Sequence, residues 1–98
     1  MRMMIKAQIP TVPGNKGIKD GQLAATIRAF MEKTHAECAY FGAEDGRRTM
    51  WAVIDLKDAS DMPPLLEPLF MGVEAEITIS PVMVANDLAA GFEKLMAH

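Results

Sequence analysis

Residues 3–9 of the chain, MIKAQI with its leading methionine, alternate in period two. Met3, Ile5, Ala7 and Ile9 fall on one face, and Arg2, Met4, Lys6 and Gln8 on the other, the signature of a strand. Pro10 and Pro13 end it, and the segment PGNKG has turn chemistry. Residues 20–34 change period. Leu23, Ile27, Phe30, Met31 and Thr34 recur at helical spacing, with Arg28, Glu32 and Lys33 mainly opposite. Asp20 suits the start of this helix, where its carboxylate can take an unpaired N–H.

Residues 37–43 and 47–56 predict two strands around EDGR. Asp-Gly favours a two-residue type I′ turn, because both central residues need positive φ. That turn sets Tyr40 opposite Trp51 and Phe41 opposite Met50. A three-residue loop with a bulge would instead place Phe41 beside Trp51. The two-residue turn is preferred. DASDMPPLLEPLFMG predicts a short helix with Leu65, Leu66, Leu69 and Phe70 on its apolar face. Ser60 or Asp61 can cap it, Pro68 should kink or shorten it, and Gly72 can end it. Residues 74–83 predict a fourth strand and residues 85–96 a last helix, striped by Leu88, Phe92, Leu95 and Met96. Gly91 weakens that helix by roughly 1 kcal/mol relative to alanine, so it should depend on docking.

The order β-α-β-β-α-β plus a helix predicts one α+β domain over residues 1–98, of the ferredoxin-like split βαβ type. Right-handed crossovers put both internal helices on one side of a four-stranded antiparallel sheet. Ile5, Ala7, Ile9, Met50, Ala52, Ile54, Ala75, Ile77 and Ile79 should face those helices. The strand TMWAVIDL then poses a problem. Its second face carries Trp51 and Val53, and the same sheet face collects Met4, Lys6, Gln8, Tyr40, Asp55, Glu76 and Thr78. That surface is apolar for water and charged for a core. A chain of 98 residues hides only roughly 60–65% of its unfolded surface. A second copy closing face to face resolves both difficulties and predicts a homodimer around a lined interior.

Composition narrows the partners. The formal charge of −3, with Arg47-Arg48 the one basic pair, argues against general nucleic-acid binding, which needs clustered cations. The lone cysteine, Cys38, excludes an internal disulfide and an all-cysteine metal site. It reads as a small packing residue. The first ten residues are too interrupted, by Lys6 and Gln8, for a signal peptide. No run approaches the ~20 apolar residues of a membrane span. The expectation is a cytoplasmic protein.

This order of elements, with a half-polar sheet face, resembles the dimeric α+β barrel superfamily. RRTMWAVIDL, LLEPLF and AEITISPVM are similar to a family of small uncharacterised bacterial proteins of about this length. The resemblance spans nearly the whole chain. It implies the fold and a dimer, and carries no activity, because the superfamily ranges over cofactor-independent quinol-type monooxygenases, muconolactone isomerases, haem enzymes and stress-responsive barrels.

The candidate ligand-binding residues are Met4, Lys6, Tyr40, Trp51, Val53 and Glu76. Tyr40 and Trp51 can wall a flat or apolar ligand, although filling the dimer interior is the simpler role. Lys6 and Glu76 should be neighbours and form a cross-strand ion pair. Asp55 is a weak candidate for a general base. His35 should be solvated at a helix C-terminus, and neither it nor His98 has metal-ligand spacing. No cofactor or metal is expected. A barrel binding a small apolar or aromatic metabolite ranks first, a structural or interaction module second, and a cofactor-independent oxygenase or isomerase third.

Overall fold

The computed structural model describes residues 1–97; His98 lies outside them. Strand β1 (Arg2–Ile9) is followed by helices α1 (Thr11–Asp20) and α2 (Gln22–Thr34), strands β2 (Cys38–Glu44) and β3 (Arg47–Asp55), helix α3 (Met62–Val73), strand β4 (Glu76–Pro81) and helix α4 (Ala85–Met96). The four strands form one antiparallel sheet in the order β2-β3-β1-β4. This is the ferredoxin-like arrangement the sequence predicts, with one helix more.

The extra helix is α1, where a turn is expected. Pro13 falls in its first turn, where N–H groups have no intrahelical partner and a proline costs little. Two glycines on its buried side bring it close to the body. A Cβ on Gly14 would meet Arg48 Nη1 at 2.6 Å and Ile9 Cγ2 at 3.2 Å, and one on Gly17 would meet Leu23 Cβ at 3.1 Å. Close packing therefore outweighs the poor helix propensity of glycine. Gly21, at φ 79°, breaks the helix, and Asp20 accepts the N–H of Gln22 at 2.8 Å to start α2.

The hairpin has the two-residue geometry. Asp45 and Gly46 have φ of 55° and 74°, and Tyr40 pairs with Trp51, Phe41 with Met50. Helix α3 departs from its expected limits. A 3-10 turn at Ala59–Asp61 precedes it, and Asp58 supplies the cap, accepting the N–H of Ser60 at 3.0 Å. The helix is not shortened by Pro68. It runs past Gly72 to Val73 and closes with the Ala75 N–H donated to Leu69 O at 3.1 Å, Glu74 taking φ 55°. Gly72 instead lets α3 cross α2, since a Cβ there would sit 3.2 Å from Thr26 Oγ1.

The core lies between the sheet and helices α2 and α3. Ile5, Met50, Ala52 and Ile54 meet Leu23, Phe30, Leu66, Leu69 and Val73, all buried, with Ala75 buried and Ile77 and Ile79 packed against them. Helix α4 is outside this arrangement. Among the described residues it packs closely on no other element, and none of its residues is buried.

Candidate functional site

The sheet face turned away from α2 and α3 is the candidate site. The strand registers fix its rows. Cys38, Val53, Met4 and Ser80 form one row; Tyr40, Trp51, Lys6 and Thr78 the next; Gly42, Thr49, Gln8 and Glu76 the third. All six sequence-derived ligand candidates lie on this face. Trp51 is half-buried and leans over Gly42, where an added Cβ would touch the ring at 3.4 Å. At that distance the Cβ would be in ordinary van der Waals contact with the indole. Tyr40, on the edge strand, is 68% exposed.

Polar side chains close both ends of the face. At one end Lys6 pairs with Glu44, Arg47 pairs with Glu76, and Gln8 Nε2 donates to Glu44 O at 3.2 Å. Lys6 and Gln8 stand on β1 and their partner on β2, so both side chains cross β3. Their stems shield what lies beneath, which accounts for the burial of Thr49. The expected Lys6–Glu76 bridge does not form. Lys6 is opposite Thr78, and Glu76 is one row further on, opposite Gln8. Arg47 reaches Glu76 instead.

At the other end Arg2 Nε donates to Glu37 Oε1 at 2.8 Å, and Arg2 Nη1 to Asp87 Oδ2 at 3.3 Å. Those two carboxylates hold the Arg2 guanidinium above its ordinary pKa, with the Glu37 hydrogen bond the main cause. Asp87 belongs to α4, where it also accepts the N–H of Val84 at 3.2 Å. Between the two ends lies the apolar middle: Met4, Cys38, Val53, Trp51 and Tyr40. Val53 is only 8% exposed yet stands outside the main core cluster, so its burial comes from its neighbours on this face.

Asp55 is exposed at the Arg2 end. Hydrogen bonds from Lys57 and, secondarily, from the N-terminal ammonium lower its pKa to about 2. A base poised for catalysis near neutrality needs the opposite shift. The pairing has a consequence for stability. The folded pKa lies below the ordinary 3.8, so Asp55 contributes its full stabilisation above that value and loses it as pH falls toward about 2. Asp55→Asn should therefore flatten the acid limb of a plot of urea midpoint against pH in that window. An unchanged limb would mean the ion pair is fully screened by solvent.

Other clefts lie elsewhere. One, between the end of α2, the end of β3 and the start of α3, is lined by Lys33, Thr34, Lys57, Asp61 and Pro64. Another lies among Lys16, Asp20, Gln22, Phe70 and Met71. The sequence reading misses these because they arise where loops and helix ends meet. His35 is exposed at the end of α2, at φ 47°. Among the described residues no three His, Cys, Asp or Glu side chains are grouped to hold a metal ion. No helix among them is long and apolar enough to cross a membrane.

No protein-family model matches the chain, and no curated protein matches it. Among solved structures it is similar to the de novo designed protein Ferredog-Diesel, with a TM-score of 0.54 and 11% identity over 83% of this chain and 85% of that one. At that identity the likeness concerns the fold alone, and the chain has a ferredoxin-like α+β fold.

Proposed function

We propose that two copies of this chain close over their open sheet faces as a dimeric α+β barrel and hold a small apolar or aromatic metabolite between them. The observation that carries this reading is the apolar middle of the face, bounded at both ends by ion pairs, with exposed Tyr40 directly beside Trp51. A flat ligand stacked there would meet aromatic surface below and, in the dimer, the same surface above. The ion-paired ends would set its length. The order of elements and the half-polar sheet face, which resemble the dimeric barrel type, support the same reading.

Trp51 is the sole tryptophan, so its emission reports on this face directly. Titration with 2-naphthol should quench it saturably, and Tyr40→Ala should weaken binding by about tenfold with little change in melting temperature. Non-saturable quenching by 2-naphthol and related planar aromatics would refute the ligand reading. A second reading is a structural or interaction module. It is favoured by Lys6 and Gln8, which already lie across the face toward Glu44. Its mark would be a stable dimer whose Trp51 emission ignores every such probe.

A further inference from the structure

We infer that α4 is an exchanged arm: in the dimer it packs on edge strand β2 of the second copy, its Leu88-Phe92-Leu95 stripe against Tyr40 and Phe41. This rests on the dimeric part of the reading above and goes beyond it, since closing two sheet faces requires no exchange of helices.

Four observations lead there. First, α4 has twelve residues, contains Gly91 and, apart from the Arg2–Asp87 ion pair, packs closely on nothing described in its own copy. Helices of that length are marginal in water without tertiary support. Its stripe is nevertheless solvent-facing, with Phe92 57% and Leu95 68% exposed.

Second, α4 is rooted at the end of its own sheet without lying along it. Only Val82–Val84 link β4 to α4. Within that link the Val82 N–H is donated to Arg2 O at 3.1 Å, and Arg2 also holds Asp87 in the first turn. Because Arg2 shares the open face with Met4 and Lys6, α4 is rooted on the side where a second copy would lie.

Third, the complementary defect is on β2. The exposed large apolar side chains on the sheet are Tyr40 and Phe41, one on each face of an edge strand. That edge carries neither lysine nor proline, whereas the opposite edge ends in Pro81. An unguarded edge is usually covered by another element. A partner's helix laid along it would cover both aromatics.

Fourth, the area suffices. The stripe and its neighbours Met83 and Met96 expose roughly 600 Å² of apolar surface per copy, taking fully exposed large side chains as ~200 Å² each. Exchanged reciprocally, and counting the surface it covers, this removes on the order of 2,000 Å². A standard interface needs about 1,600 Å².

The test combines sedimentation with isotope-filtered NMR on the full chain. The parent should be dimeric at micromolar concentration, and Phe92→Asp should raise its dissociation constant at least about tenfold while circular dichroism shows the sheet and other helices unchanged. Phe92 is exposed, so the fold of the single copy does not depend on it. In a mixed sample of labelled and unlabelled parent, the Phe92 ring should show NOEs to Tyr40 or Phe41 of the other molecule. A dimer indifferent to Phe92→Asp, or Phe92 NOEs only within one molecule or only to the other α4, overturns the arm and leaves the sheet-face dimer standing. A monomeric parent removes both.

Discussion

Ile54→Ala should lower the unfolding free energy by about 2–5 kcal/mol, whereas Val53→Ala, one residue away, should lower it by only about 1 kcal/mol at low protein concentration. Ile54 is 1% exposed and sits in the main core cluster beside Leu66 and Leu69, while Val53 faces the other way and is shielded only by neighbours on the sheet surface. Truncating Ile54 leaves a cavity between the sheet and two helices that cannot collapse without moving the strand. Truncating Val53 leaves a dent that water can fill. Domains of this size are stable by about 5–15 kcal/mol, so the first substitution removes a large share and the second little. Urea denaturation of both variants gives the comparison. Equal costs would mean that the two sides of β3 are equally dry in a single copy. If dimers form over this face, the cost of Val53→Ala should also grow with protein concentration, and that of Ile54→Ala should not.

The two-sidedness of β3 is what the sequence conveys best. Its alternation separates Met50, Ala52 and Ile54 from Trp51 and Val53 before any coordinate is known, and the Asp45-Gly46 turn fixes the register that sets Tyr40 against Trp51. Local chemistry determines both. Helix α4 is legible to the residue because its stripe is local too. Helix α1 is not. Its proline and glycines read as a turn, and only Arg48, Ile9 and Leu23, distant in sequence or across a bend, show why they are there. The candidate site divides in the same way. Which residues share the open face follows from strand parity. Which of them pair does not, because Lys6 and Arg47 each reach across a whole strand, to Glu44 and Glu76. Long flexible side chains choose partners beyond the nearest register position. That crossing changes the question posed by Trp51 and Val53, since part of the cover over this face is the protein's own polar side chains.

Pro68→Ala should stabilise the protein by about 1–2 kcal/mol. Pro68 lies inside α3, where it has no N–H to give to Pro64 O. The chain has found a poor substitute: Lys33 Nζ, on α2, donates to that oxygen at 3.4 Å, long for a hydrogen bond. An interior proline costs about 3 kcal/mol relative to alanine. Alanine gives back about 0.4–1 kcal/mol through the greater freedom of the unfolded chain. Pro68 is exposed and contributes little to the core, so the balance favours alanine. The same account predicts a coupling. Lys33→Ala should cost a few tenths of a kcal/mol in the parent and nothing in the Pro68→Ala background, because Pro64 O then has its helical donor. Chemical denaturation of the four proteins measures it. A destabilised Pro68→Ala would show that the proline ring, which borders the seam between α2 and α3 with Ala29, Phe30 and Leu65, stabilises that seam by more than the missing hydrogen bond costs. A Lys33 effect that persists without the proline would assign that lysine a role other than satisfying the orphaned carbonyl.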